Sequence, residues 1–478
     1  MFDVLIIGAG ITGTLIAREL SRYQIDVAVL EKCNDVGNKT TNANSAIVHS
    51  GYDPEPGSNK AKFNVLGNHM FDQLTEELDV PFERLGSLTV ALEDEQIPLL
   101  EDLIQRSQEN HVPVQLLTGV EAQKIEPHLS KEVKAALLAP TAGIVDPFEL
   151  CVHAMENAID NGVHLLLNEE VVAIKKVADY FLVKTKTHEY QSRIIINAAG
   201  NFADCIAGMI ETIDWKITSR KGEYFVLDHF QDDYVKHTIF PLPTSKGKGV
   251  LVSPTTSGNY IVGPSSEEIL RKDDYATDSL TLKQVKEHAV AMFPDLPFNQ
   301  VIRVFSGLRP SCSRHDFIIE YAKTDSHFIN VAGIESPGLV SSPAIAKFVV
   351  DDLVKPIISL EDKPSFNPRV RPYYRLSQML KKHQEAFVKE HPTYGEIVCN
   401  CEKVSLGEIE DALSRSCPPR SVKGLKRRTR AGFGKCQGSF CQPRVVLILA
   451  KHYGVSPLDI PLDDVGSNIL LEKIKEVK

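Results

Sequence analysis

Residues 1–33 constrain the fold of this chain more than any other stretch. Phe2, Val4, Leu5, Ile6 and Ile7 form a short apolar run of strand type. Gly8-Ala9-Gly10-Ile11-Thr12-Gly13 follows as a GxGxxG, and a helical pattern continues through Tyr23. A second apolar run, 27–30, ends in Glu31. Strand, glycine turn, helix, strand and a closing acid make a complete dinucleotide-binding unit. In such a unit Gly8 permits the tight turn and Gly10 lets the backbone approach a pyrophosphate at the positive end of the helix. Gly13 lets helix and strand pack closely, and Glu31 stands where a carboxylate can accept hydrogen bonds from ribose hydroxyls. The fold class this predicts is α/β, shading into α+β, around a Rossmann-type nucleotide domain.

At 478 residues the chain is too long for one simple core, so two or three domains are expected. Hydrophobic residues at 43% and charged residues at 24% are ordinary for a globular protein, and a formal net charge of −10 argues against a nucleic-acid binder. The first apolar run passes straight into the glycine turn, without a basic segment or cleavage site, so no signal or transit peptide is expected. No apolar stretch approaches the roughly 18 uninterrupted residues of a membrane span. Nine cysteines without a secretory signal point to a reducing compartment and to metal or redox roles.

Residues 34–60 are polar and dense in hydroxyl and amide groups, Thr40, Thr41, Asn44 and Ser45 among them, before Ala46-Ile47-Val48 turns apolar and His49 follows. Such groups can hydrogen-bond a phosphate or cofactor edge without adding charge. Residues 61–80 read as an amphipathic helix, 87–92 as a strand, and 96–110 and 148–161 as helices. The buried strand 193–197 runs into Ala198-Ala199-Gly200. Alternating strands at 223–227, 249–253 and 259–263 predict an antiparallel sheet laid over the active site. A short strand at 302–305 is followed by Gly307-Leu308-Arg309-Pro310, read as a site-lining loop. A second glycine-bearing strand–turn–helix spans 328–354, through Gly333, Ser336, Gly338 and Leu339. Residues 355–396 read as a linker with one helix, 376–388.

Five cysteines lie near the C-terminus. Cys399 and Cys401 form C-x-C, Cys436 and Cys441 form C-x4-C, and Cys417 stands apart as a free thiol. Four thiolates suit a [2Fe-2S] cluster or a zinc site, although C-x-C is unusual for zinc. Between the pairs lies the basic segment 423–430. It has three readings: a solvated helix face, local compensation of a cluster's negative charge, and a docking patch for an acidic electron-transfer partner or anionic lipid.

The first 350 residues resemble the D-amino-acid-oxidase-type flavoprotein superfamily, on the N-terminal GAGITG with Glu31, Asn197-Ala198-Ala199-Gly200, and the Gly333…Gly338-Leu339 turn. Within it, the segment 44–54 containing His49, Phe240-Pro241-Leu242-Pro243, residues 246–250 and Gly307-Leu308-Arg309-Pro310 resemble FAD-dependent glycerol-3-phosphate dehydrogenases and oxidases. L-2-hydroxyglutarate oxidases have a similar histidine segment. Residues 397–455 resemble the small bacterioferritin-associated-ferredoxin type of [2Fe-2S] domain, a combination matching the anaerobic glycerol-3-phosphate dehydrogenase catalytic-subunit family. The resemblance implies FAD and a [2Fe-2S] cluster on Cys399, Cys401, Cys436 and Cys441. It implies cofactor contacts from Gly8, Gly10, Ile11, Thr12, Gly13, Glu31, Lys32, Thr40, Thr41, Asn44, Ser45, Val172, Ala199, Gly200, Gly307, Gly333, Ser336, Gly338 and Leu339. The domain division it implies is an FAD-dependent oxidoreductase domain over 1–355, with FAD-binding parts near 1–80, 140–214 and 300–355 and substrate parts near 81–139 and 215–299. A linker, 356–396, a small helical [2Fe-2S] domain, 397–460, and a tail, 461–478, complete it.

The activity expected from this resemblance is oxidation of sn-glycerol 3-phosphate to dihydroxyacetone phosphate. L-2-hydroxyglutarate oxidation is the alternative within enzymes, and a flavin–cluster relay subunit the alternative outside them. Alcohol dehydrogenation needs a base, and His49 is the candidate, since histidine's ordinary pKa near 6.5 leaves it neutral at working pH. A hydrogen-bonded structural histidine is its competing reading. Arg309 and Lys248 are candidates for holding a phosphate or carboxylate, the arginine as a bidentate fork and the lysine as a point charge. The expected partners are a phosphorylated or carboxylated alcohol, an electron-transfer subunit and the inner face of the cell membrane for a cytoplasmic protein, with no nucleic acid.

Overall fold

The computed structural model describes residues 1–243, 249–472 and 475. Lys248 lies outside the described residues, as do 473, 474 and 476–478 of the tail.

The apolar run at the start becomes β1, Phe2–Ile7, the glycine turn opens α1, Ile11–Leu20, and the second run is β2, Val27–Glu31. β1 and β2 pair in parallel with Val4 opposite Val27 and Ile7 opposite Leu30. The strand His164–Leu167 continues the parallel order beyond β2, and Glu189–Asn197 lies on the other side of β1. Glu189–Asn197 pairs along its first half with the hairpin strand Tyr180–Thr185 and at its end with Phe328–Ala332. Eight strands result, apolar on both faces. Ile16, Leu20, Phe63 and Phe71 pack on one side, and Leu5, Phe181, Ile206 and Trp215 on the other. Burial on both faces explains why these strands read as unbroken Val/Ile/Leu runs.

A nine-stranded sheet stands over the carboxyl ends of the first. It is mostly antiparallel, as its alternation predicts, with one parallel pair, Thr238–Pro241 beside Ser87–Ala91. One correction concerns residues 301–312. Instead of a short strand and a loop, Val301–Cys312 is one strand, paired with Ile217–Leu227 from Ile217 opposite Cys312 to Leu227 opposite Val301. Pro310 does not stop it because, among the described residues, the strand pairs on one side only, and proline's missing N–H is tolerated at an edge. Arg309 therefore sits within a strand, opposite Arg220. The helix expected over 376–388 is displaced to Lys381–Glu390, after a short 3₁₀ turn.

The C-terminal part has its own core of Ile409, Leu425, Val445 and Leu449, drawn from the helices Leu406–Ser414, Val422–Thr429 and Gln442–Tyr453. Here the basic segment finds its role. Lys426, Arg427 and Arg428 are buried. Arg428 grips both carboxylate oxygens of Asp35, at 2.7 and 2.8 Å, and Arg427 reaches Asp35 at 3.3 Å. Asp35 follows β2 by four residues, so this segment ties the C-terminal core to the nucleotide loop. A solvated face and an outward docking patch are both overturned for these three residues. Two carboxylates of the tail close the same contact, Asp464 on Lys39 at 2.8 Å and Asp463 on Lys423 at 3.0 Å.

Candidate active site

A cavity of about 1120 Å³ runs from the glycine turn, between the two sheets, to the helix Ser279–Met292. At its inner end Gly8 adopts φ +108°, and a Cβ there would lie 2.5 Å from the Ala198 carbonyl. Gly10 starts α1 with no side chain capping it, which leaves helix N–H groups turned to the cavity. Two neighbouring donors are already engaged: Ala9 N–H donates to Glu31 Oε2 at 2.8 Å and Ile11 N–H to Thr41 Oγ1 at 3.0 Å. Glu31 Oε1 accepts from Cys33 N–H at 2.9 Å. The carboxylate thus braces the turn and keeps lone pairs free for a ribose, since each oxygen can accept twice.

Most of the residues expected at the cofactor line this cavity: Gly8, Gly10, Ile11, Thr12, Glu31, Lys32, Thr40, Thr41, Asn44, Ser45, Ala199, Gly200, Ser336, Gly338 and Leu339. Gly13, Gly307 and Gly333 do not. They pack instead against Gly8, Ala43 and Cys312 respectively. Val172 is also absent from the lining. It is 43% exposed, and the buried Val171 beside it faces the cavity. Side chains alternate along a strand, so a shift of one residue exchanges inside for outside. Lys32 projects its ammonium over the Phe202 ring at 3.5 Å, and burial pushes its pKa down.

The half-buried His49 lines the same space. Its carbonyl is clamped by Asn64 and Asn68 of α2, Asn59–Glu77, whose side-chain amides donate at 2.8 and 3.0 Å. Phe240 lies with its ring centre 5.7 Å from the imidazole. Across the cavity, the Arg309 guanidinium donates to the Ser265 carbonyl at 2.8 Å. Burial lowers its pKa, while Tyr224 and Glu335 act to raise it. The Tyr224 hydroxyl meets Ser45 Oγ at 3.1 Å.

Sequence reasoning missed a second charged group at this wall. Glu335 holds Lys60 at 3.0 Å, with Arg220 at 3.9 Å and Ser311 at 3.4 Å. Lys60, Arg220 and Arg309 face Glu335 and, at 4.0 Å from Arg220, the exposed Glu268, which leaves a local excess of one positive charge suited to an anion. No motif signals Lys60 or Arg220. They meet because α2 begins beside Asp316, which accepts from the Asn59 and Lys60 backbone N–H groups, and because the Arg220 strand pairs with the Arg309 strand.

The C-terminal cysteines converge in two pairs, Cys399 with Cys441 and Cys401 with Cys436. No disulfide forms, and Cys417 is free and buried, as expected. The Cys399 sulfur accepts from the backbone N–H groups of Cys401, Glu402 and Gly432, and the Cys436 sulfur from Gly438 and Phe440. The Cys441 thiol beside it lowers the pKa of the Cys399 thiol, against the desolvation that raises it. Gly434 is required here, because a Cβ would lie 2.5 Å from that of Cys401. Two thiol pairs bordered by backbone N–H groups offer the four thiolates and the hydrogen-bond donors that an iron–sulfur cluster takes.

The chain matches the family of FAD dependent oxidoreductases over residues 3–352 and a BFD-like [2Fe-2S] binding domain over residues 397–451. It belongs to the FAD-dependent oxidoreductases, and its cofactors are FAD and a [2Fe-2S] cluster; zinc is set aside. Among curated proteins, a glycerol 3-phosphate dehydrogenase of Caloramator mitchellensis is 44% identical over 471 residues, covering 98% of each chain. The dithionite-reduced L-alpha-glycerophosphate oxidase of Mycoplasma pneumoniae, solved with FAD bound, superposes with a TM-score of 0.75 at 32% identity. It covers 78% of this chain and 99% of its own. The mitochondrial L-2-hydroxyglutarate dehydrogenase of Arabidopsis thaliana is more distant, 29% identical over 74% of this chain and 83% of its own.

Proposed function

We propose that this protein oxidises sn-glycerol 3-phosphate to dihydroxyacetone phosphate and sends the electrons on through its cluster. The observation carrying this reading is one cavity that joins the glycine turn, His49 and an excess of cations at Arg309, Arg220 and Lys60. The 44% identical dehydrogenase supports the phosphate over the carboxylate substrate. Bound FAD supplies the hydride acceptor, and the cluster supplies a one-electron carrier.

In this mechanism Arg309 binds the substrate phosphate, with Arg220 and Lys60 adding charge; Lys248 is retained as a further anchor. Held there, the substrate presents its secondary hydroxyl to His49, whose backbone is immobilised by Asn64 and Asn68. The imidazole takes the hydroxyl proton as the carbinol hydrogen leaves, and the fixed geometry supplies much of the rate. The domain division in this reading keeps 1–355 catalytic, 356–396 as linker and 397–460 for the cluster. Among the described residues no helix is long and apolar enough to cross a membrane. A cytoplasmic location, free or against the inner face of the membrane through an electron-accepting partner, agrees with nine free cysteines.

The test is anaerobic mixing of the holoprotein with glycerol 3-phosphate and, separately, with L-2-hydroxyglutarate. Bleaching of the flavin by the phosphate is the expected result. Bleaching by the hydroxy acid alone transfers the function to that class, and bleaching by neither leaves a relay subunit.

A further inference from the structure

Residues 397–451 hold eleven Lys and Arg against four Asp and Glu, in a chain whose net charge is −10. Arg415, Lys426, Arg427 and Arg428 are buried and serve internal contacts. Of the rest, Lys423, Arg430 and Arg444 pair with Asp463, Glu402 and Glu396, and Lys403 and Lys435 flank the cysteines along the chain.

The four cysteines are not equivalent. Cys399 and Cys441 are 1% and 3% exposed, whereas Cys401 is exposed and Cys436 half-buried. The outer pair therefore stands at the surface. Lys403, two residues after Cys401, and Lys435, beside Cys436, are both exposed and pair with no carboxylate among the described residues. The adjacent acid, Glu402, is spent on Arg430 at 2.8 Å. Phe440, whose backbone N–H reaches the Cys436 sulfur, leaves its ring 83% exposed.

A lone phenylalanine on the surface is unremarkable by itself. Here its backbone is hydrogen-bonded to one of the two more exposed sulfurs, and each of those cysteines has an exposed lysine within two residues along the chain. Unpaired cations steer an oppositely charged partner and orient it, and an aromatic ring that becomes buried supplies contact area on docking. The rest of the chain carries the net negative charge, which disfavours an acidic partner there.

We propose that Lys403, Lys435 and Phe440 form the electron-exit port, which docks a small acidic one-electron carrier protein over the Cys401–Cys436 edge. This rests on the relay part of the proposed function. The port passes one electron per encounter, so two oxidised carriers take the two electrons removed from each alcohol. The hydroxyl proton and the carbinol hydrogen appear as two protons.

The experiment uses the holoprotein and two variants, the double change Lys403→Glu/Lys435→Glu and Phe440→Ala. The probe is an oxidised acidic plant-type [2Fe-2S] ferredoxin. Enzyme reduced stoichiometrically with dithionite is mixed with it by stopped flow at several ionic strengths, so the port is tested whatever the substrate proves to be. Electron paramagnetic resonance of the reduced enzyme verifies that each variant keeps its cluster. In the wild type the second-order rate should fall as salt rises. Charge reversal should lower the low-salt rate about 10- to 100-fold and flatten its salt dependence, with a smaller loss for Phe440→Ala. Flavin reduction by substrate should not change. Equal ferredoxin rates in wild type and charge-reversed enzyme overturn the port, as does faster delivery to a basic cytochrome c than to ferredoxin. Recruitment to anionic vesicles through the same lysines, without ferredoxin reduction, overturns it in favour of a membrane contact.

Discussion

His49 and Arg309 carry the proposed chemistry, one from a clamped loop and the other from within a paired strand. The imidazole is positioned through its backbone carbonyl, gripped by two asparagine amides of α2. If it is the base, His49→Gln should retain FAD and slow flavin reduction by about 10²- to 10⁴-fold; stopped-flow absorbance gives the rate and the protein-bound flavin spectrum the content. Unchanged reduction would return His49 to a structural role. Arg309→Gln should act on binding instead. A hydrogen bond to a charged group contributes about 1.5–3 kcal/mol, so the KM for glycerol 3-phosphate should rise roughly 10- to 100-fold with a smaller change in kcat. Steady-state kinetics with a dye acceptor separates the two. A fall in kcat alone would move Arg309 from anchoring to chemistry.

At the scale of elements, the loop following β2 does two jobs at once. Its start is Glu31, which braces the glycine turn, and four residues later Asp35 receives Arg427 and Arg428 of the helix Val422–Thr429. Removing one partner of a buried ion pair costs about 3–5 kcal/mol. Asp35→Asn should therefore loosen the C-terminal part, speed proteolysis within residues 356–396, and weaken FAD retention through the shared loop. Limited digestion and flavin release on dilution measure both effects. The helix Pro147–Asp160 adds a pH dependence. Desolvation lowers the pKa of its buried His153 to about 3, with Nδ1 against the Leu78 carbonyl at 2.6 Å and the ring stacked on Tyr373. The neutral form is favoured in the fold, so its stabilisation is present above the unfolded pKa of 6.5. As pH falls from there toward 3, the unfolded chain binds a proton that the folded chain refuses, and stability drops by up to about 1.4 kcal/mol per pH unit. His153→Gln should reduce the difference between melting midpoints at pH 7.5 and pH 5.5.

For the molecule as a whole, the sheets and the C-terminal core meet at the nucleotide end of the cavity. Arg303, on the strand that also carries Arg309, donates to Gln437 Oε1 at 3.2 Å, immediately after Cys436. One strand thus touches both the cysteine loop and the wall of the cavity. Cys436→Ser should abolish the cluster's visible bands, keep flavin reduction by substrate, and stall delivery to a one-electron carrier. Full delivery, with iron loss confirmed by analysis, would make the cluster structural, as metal is in many small domains. A second redox centre in the same chain fits a dehydrogenase better than an oxidase, whose reduced flavin passes its electrons to dioxygen without one.

The GxGxxG with Glu31 and the two cysteine pairs were legible because their chemistry depends on local spacing: a tight turn, a helix end, sulfurs brought together by short loops. Strand type was legible where both faces are buried, since every residue must then be apolar. The position of Val172 was not, because at a sheet edge one residue of register decides inside from outside. Nor was the continuity of Val301–Cys312, since Gly307 and Pro310 look like a loop until the partner strand and the free edge are known. The sequence by itself therefore determined a dinucleotide site and a four-thiolate centre, and supplied the catalytic histidine candidate. Only the tertiary structure decided where the basic segment points. Eight residues rich in Lys and Arg satisfy a solvated face, a partner or a buried acid equally well, and the carboxylate that chose among them, Asp35, lies near the opposite end of the chain. The same long-range pairing brought Lys60 and Arg220 to Glu335, through contacts that no local pattern encodes.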